Sequence, residues 1–126
     1  MALPQQHRLR GHRPFDRIYR QGRRFQGDLM LLRLLDQVPS LLPPSDRARP
    51  PSPWRCAVVV SAKVSKRAVQ RNRLRRLLHA HLSQCDPAPE RPQWLLLTLR
   101  PGAAEAEPHR LLKECTNVLR QAGLIP

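Results

Sequence analysis

The chain has 126 residues, of which 23 are basic and 9 acidic, for a formal charge of +14 at neutral pH. That length suits one small domain over residues 1–126 and excludes a second core, while the charge favours polyanions and repels other basic proteins, so nucleic acid is the expected partner. The three cysteines, Cys56, Cys85 and Cys115, lack any Cys-x-x-Cys spacing, which excludes a disulfide framework or a zinc ribbon and fits a reducing, cytoplasmic setting.

Met1 to Pro4 leads directly into polar and basic residues, without the apolar core of a signal peptide, and no apolar run approaches the roughly 20 residues of a membrane span. The expectation is a cytoplasmic chain with no membrane partner. Residues up to about Arg13 form a basic arm. Pro14 suits a helix start, Phe15, Ile18 and Tyr19 share helical spacing, and Gly22 is a natural stop. Arg23 to Leu35 carries Phe25 and a set of leucines interrupted by Gly27 and Asp28, the pattern of two short strands or one broken strand, with helix as the competing reading.

From Gln37 to Pro53 six prolines oppose both helix and sheet interior, so this stretch is expected to be a loop joining neighbouring strands. Arg55 to Ser61 contains Cys56, Ala57, Val58, Val59 and Val60, the composition of a buried central strand. A helix follows over about Lys66 to Leu82, with Ser65 placed to cap it and Leu74, Leu77, Leu78 and Leu82 on one arc. Because that stripe begins only after Arg73, the first half of the helix should project beyond the sheet. Arg67 and Arg71 would then be free to meet a ligand, since neither can be buried unpaired. A proline-containing turn, a strand over Trp94 to Leu99, and a helix from Pro108 with Leu111, Leu112, Cys115, Val118, Leu119 and Ala122 at 3.6-residue spacing complete the chain. Gly123 ends that helix, and Leu124 can fold back on it.

The charge is concentrated. No acidic residue lies between Asp46 and Asp86, while Lys63, Lys66, Arg67, Arg71, Arg73, Arg75 and Arg76 fall within one short window. A solvated helix face of mixed sign is the ordinary explanation of a charge run. Here the sign is single, and like charges four residues apart, such as Arg67 with Arg71, repel one another until an external polyanion compensates them. Asn72 can donate and accept at once, which suits it to orienting a neighbouring arginine or touching a sugar or base edge, or simply to a helix surface.

On the first helix, Phe15 and Tyr19 are one turn apart and offer aromatic faces to unpaired bases, with Arg10, Arg13 and Arg17 alongside for phosphates. The alternative is packing on the sheet, which is favoured for Ile18. A nuclease centre of the protein's own is opposed by the scatter of Asp16, Asp28, Asp36 and Asp46. His81 and Cys85 are four apart on a helix, with His79 nearby, but two further metal ligands are missing. No serine or cysteine nucleophile with a histidine base stands out.

The stretch Lys63-Val64-Ser65-Lys66-Arg67-Ala68-Val69-Gln70-Arg71-Asn72-Arg73-Leu74-Arg75-Arg76 resembles the signature of the bacterial ribonuclease P protein component. Leu9-Arg10, Phe15, Ile18-Tyr19 and Gly22-Arg23 resemble that family's first helix, Val58-Val59-Val60-Ser61 its central strand, and Leu95 to Arg100 its last. Ala62 stands where the family usually has a second lysine, Arg33 where an aromatic is common in the cleft, and the proline-rich loop is longer than usual.

The resemblance implies an α+β fold, a two-layer sandwich of a roughly four-stranded sheet with three helices in the order α-β-β-β-α-β-α, with a left-handed β-α-β crossover. It also implies a protein subunit of a ribonucleoprotein endoribonuclease that removes the 5′ leader of precursor tRNA. The catalytic centre and its magnesium would be on the RNA. The implied catalytic-RNA contacts are Lys63, Lys66, Arg67, Arg71, Asn72, Arg73, Arg75 and Arg76, and the implied leader contacts are Arg10, Arg13, Phe15, Arg17, Tyr19 and Arg33. No protein partner is expected. The rival readings are a ribosome-associated or RNA-chaperone protein and a protein-only nuclease.

Overall fold

A computed structural model describes residues 3–47 and 52–126; Met1 and Ala2 of the arm, and residues 48–51 of the proline-rich stretch with Pro50 and Pro51, lie outside the described residues. Four strands, β1 (Arg23–Gln26), β2 (Met30–Asp36), β3 (Trp54–Val59) and β4 (Gln93–Leu99), combine with helices α1 (His12–Gln21), α2 (Pro44–Arg47), α3 (Ala68–Cys85) and α4 (Pro108–Gln121). They form one sheet in the order β1-β2-β4-β3. β1 with β2 and β2 with β4 are antiparallel, whereas β3 and β4, joined through α3, are parallel.

Alternation along the strands divides the side chains between two faces. The rungs Leu32–Leu97–Val58 and Leu34–Leu95–Cys56 face the main core, where Leu74, Leu78 and Leu82 of α3 and Leu111, Cys115, Val118 and Leu119 of α4 are buried. α3 lies over β3, and α4 over β2 and β1. The opposite rungs, Leu35–Trp94–Arg55 and Arg33–Leu96–Ala57, face a smaller core formed with Leu9, Ile18 and Leu42. α1 packs there, on β2 and β4. The layer of α3 and α4 therefore covers one face, and α1 crosses the other, a division that helical periodicity alone does not reveal.

The two short strands before residue 36 form as expected, with Gly27 and Asp28 at the hairpin. Glu114 of α4 holds this turn, accepting hydrogen bonds from the backbone N–H of Asp28 and, at 3.1 Å, of Leu29. The valine-rich strand differs from expectation: β3 lies at the sheet edge, and β2 and β4 are central. β3 is nevertheless buried, because the arm lies along it. Arg8 bridges Cys56, the Leu9 N–H donates to the Cys56 carbonyl at 3.0 Å, and His7 stacks on Trp54 with ring centroids 3.9 Å apart. An edge strand covered in this way has the apolar signature of an interior one.

The proline-rich stretch also departs from a plain loop. It contains a 3-10 turn, Pro39–Leu41, and the short α2, in which Pro44 occupies the first position, where the missing N–H costs nothing. Leu42 and Asp46 are buried, so the stretch is docked. α3 begins at Ala68, two residues later than expected, whereas α4 begins at Pro108 as the proline predicts and Leu124 is buried beyond Gly123.

Candidate nucleic-acid interface

The start of α3 is fixed by a relay of polar groups. Ser65 Oγ accepts the Arg67 N–H at 3.2 Å and donates to Gln70 Oε1 at 2.6 Å, and Gln70 Nε2 donates to the Ala104 carbonyl at 3.4 Å. Ser65 thus organises the turn before the helix rather than capping its first residue, and the helix start is held against the β4–α4 connection. Only from Leu74 onward does the helix bury a side chain in the main core. The expected division into an exposed half and an anchored half is present.

The basic residues of this region fall into two groups. Lys63, Lys66, Arg67, Arg73 and Arg76 are exposed, as is Asn72. Arg71 and Arg75 are half-buried and engaged. The Arg71 guanidinium folds back to donate to the Ser65 carbonyl at 2.9 Å, so the expectation that Arg71 stands free is corrected: a half-buried cation takes the nearest backbone acceptor. Arg75 donates to Asn72 Oδ1, so Asn72 orients an arginine. Arg76 Nε reaches the Asn72 carbonyl at 3.5 Å, a weak contact. His79, one turn beyond Arg75, is held neutral to lower pH than usual, first by burial and then by the fields of Arg75 and Arg8. His79 of α3 and Arg8 and Arg10 of the arm line one hollow, a link that residue spacing does not disclose.

The α1 face has a different chemistry. Ile18 is fully buried, and Phe15 is half-buried with one side packed on the smaller core. Tyr19 is 44% exposed, and the guanidinium of Arg33 on β2 lies over its ring at 4.7 Å from the centroid. Gly22 closes α1 beside this pair: its N–H donates to the Ile18 carbonyl at 2.8 Å, and a Cβ there would lie 2.6 Å from that oxygen. Arg33 is half-buried, and its Nε is enclosed without an acceptor. Arg13 is exposed and Arg17 half-buried.

Arg10 is not simply a free cation. Asp46 from the proline-rich stretch lies 3.5 Å from Arg10 and 3.9 Å from Arg55, and both Asp46 and Arg55 are buried. Arg55 also donates to the Arg8 carbonyl at 2.9 Å. This cluster locks arm, loop and β3 together and was missed in the sequence; its trace is an arginine at the head of an apolar strand and an acid in an otherwise basic region.

The carboxylates do not fit a magnesium site: Asp28 pairs with Arg110, Asp36 with Arg91, Asp46 with Arg10 and Arg55, and Asp16 stands exposed on α1. Among the described residues no group of three metal-binding side chains occurs. His81 instead hydrogen-bonds Thr116 Oγ1 at 2.8 Å, with Cys85 Sγ 3.5 Å away. Among the described residues no helix is long and apolar enough to cross a membrane.

Residues 3–123 match the family model described as Ribonuclease P. The chain is 55% identical over 129 residues to the "Ribonuclease P protein component" of Parasynechococcus marenigrum (strain WH8102), covering 98% of each. It is 50% identical over 127 residues to that of Prochlorococcus marinus (strain MIT 9313), covering 99% of each. In three dimensions it is similar to the Staphylococcus aureus RNase P protein, with a TM-score of 0.71 and 16% identity over 95% of this chain and 98% of that one. Similarity to the Thermotoga maritima RNase P protein is comparable, with a TM-score of 0.71 and 18% identity over 90% of this chain and 96% of that one.

Proposed function

The chain belongs to the ribonuclease P protein component family, and from that premise we propose how it divides its work between two RNAs. As the protein part of an RNA-based endoribonuclease that forms the mature 5′ end of tRNA, it works in the cytoplasm with a catalytic RNA subunit and precursor tRNA. The exposed side of α3 and the turn before it, Lys63, Lys66, Arg67, Asn72, Arg73 and Arg76, bind the catalytic RNA. Arg71 and Arg75 shape that surface from within. The α1 face, with Tyr19, Arg33, Arg13 and Arg17, binds the single-stranded leader, seated by Phe15 and Ile18 and bordered by Arg10.

The observation that carries this division is the exposed, cation-covered ring of Tyr19. Stacking on an aromatic plane and a guanidinium is how unpaired bases are held irrespective of sequence. The α3 surface presents cations with no aromatic residue between Lys63 and Arg76, the chemistry of backbone phosphates. Magnesium and the cleavage chemistry belong to the RNA, since the protein's carboxylates are dispersed and three of them, Asp28, Asp36 and Asp46, are paired with arginines. The protein contributes binding energy and neutralises charge, which lowers the magnesium the RNA requires.

The test is reconstitution at low magnesium with purified protein, catalytic RNA and precursor tRNA, each omitted in turn. Leader removal is expected to require the RNA and to be accelerated by the protein. Cleavage without the RNA, or no acceleration by the protein, overturns the reading.

A further inference from the structure

We infer that the proline-rich segment between β2 and β3 builds an additional nucleotide subsite at the start of α1, extending the path of the leader. The inference rests on the assignment of the α1 face to the leader. A groove of about 180 Å³ lies between residues 11–13 and residues 41–47. Leu41, Pro43 and Pro44 supply apolar surface, and His12, Arg13 and Arg47 supply the polar rim. Among the described residues none that lines the groove is acidic. The acid of this segment, Asp46, is turned inward and buried against Arg10 and Arg55.

The groove is a built feature. Gly11, at φ +98°, a conformation that other L residues rarely adopt, lets the chain turn into α1, and its backbone lies against the Pro14 and Pro43 rings. Leu42 is buried in the smaller core beside Ile18 and Leu9. With Asp46 pinned as well, two prolines are held at fixed positions before any ligand arrives, which reduces the ordering cost of binding.

Its size and chemistry select the occupant. At about 180 Å³ it is smaller than the roughly 300–1,000 Å³ of a typical small-molecule site, with room for one base while the sugar and phosphate remain outside. Proline rings and a leucine suit the flat face of a base, and exposed Arg13 and Arg47 suit the adjoining phosphates. Arg13 and Tyr19 are six residues apart on one helix, about 9 Å along its axis. A strand stacked at Tyr19 thus reaches the groove after a short further run, and the leader is the occupant.

The decisive experiment measures affinity of the holoenzyme for precursor tRNAs whose leaders are lengthened one nucleotide at a time, with leaderless tRNA as reference. Three proteins are compared: the natural chain, Arg47→Ala, and Pro44→Glu, which introduces a carboxylate into the lining at an exposed position. Both variants should bind leaderless tRNA normally. Both should lose about threefold to tenfold in affinity once the leader exceeds one particular length, and Arg47→Lys should recover most of the loss. Thermal melting checks that the variants fold.

A loss that is the same for leaderless tRNA places Arg47 against the tRNA body or the catalytic RNA and overturns the subsite. So does no loss at any leader length. If the natural chain itself fails to distinguish leader-bearing from leaderless tRNA, the assignment of the α1 face fails as well.

Discussion

Replacing Arg73 and Arg71 separately with Ala distinguishes a cation that meets RNA from one that shapes the surface. Lys63, Lys66, Arg67 and Arg73 are exposed, and among the described residues none of their side chains makes a hydrogen bond or ion pair. If each neutralises one phosphate, their combined slope of log affinity against log salt is roughly −3.6, at about −0.9 per contact. A fourfold rise in salt then weakens binding to the catalytic RNA about 150-fold. Arg73→Ala lowers the slope to roughly −2.7, and the same rise in salt costs only about 40-fold.

Arg71→Ala removes instead the 2.9 Å hydrogen bond to the Ser65 carbonyl. Solvent screening at this half-buried site limits the loss to about 1 kcal/mol of stability, a fall of roughly 4 °C in melting temperature for a chain of this size, with a smaller change in slope. Titration at several monovalent salt concentrations and fixed magnesium gives the slopes, and thermal melting gives the stabilities. An unchanged slope for Arg73→Ala, or an unchanged melting temperature for Arg71→Ala, refutes the division between them.

Tyr19→Ala should weaken affinity for leader-bearing precursor tRNA by about tenfold relative to leaderless tRNA, the scale of one base stacked on an aromatic ring, with Arg33→Ala acting in the same direction; binding titrations with the two substrates measure it. Asp46→Ala should destabilise the fold by about 2 kcal/mol, read by urea unfolding, less than the roughly 3–5 kcal/mol for breaking a wholly buried pair because Arg10 remains partly in water. Burial pushes the Cys115 thiol up to about 12 and Cys56 higher still, and it raises Cys85 as well. An alkylating reagent at pH 8 should therefore modify half-buried Cys85 first and the other two only on unfolding, as peptide mapping would show. Because folded pKa values raised above 9.0 favour the protonated native state, that share of stability is complete below about pH 9 and is lost as pH rises towards 12, which a melting series in alkaline buffers measures.

Much of the fold is written in short-range patterns. The leucine arc of α3, the proline that opens α4 and the Gly27–Asp28 break between β1 and β2 each depend on neighbours a few residues away. What was illegible depends on contacts between distant segments. β3 looks like a central strand because Leu9 and Trp54's partner His7 cover its edge, and no local period records a cover supplied from 47 residues away. Arg71 looks free because its acceptor is a backbone carbonyl, which residue types do not mark. The cluster of Arg10 with buried Asp46 and Arg55 joins three segments that are polar, proline-rich and apolar in turn. Tyr19 and Arg33 were each legible as candidates, but their stacking depends on where α1 crosses β2.

The cover on β3 bears on how the molecule tolerates handling. The sheet's two rims are protected differently: β1 is short and begins with two exposed arginines, whereas β3 is screened by residues 3–9, with Leu3 and Leu9 buried. Trimming that leading peptide, or displacing it with a bulky fusion, would uncover the unpaired hydrogen-bonding row of an apolar strand, a template for chain-to-chain zippering. Tags for purification or labelling therefore belong at the other terminus, where Pro126 is exposed.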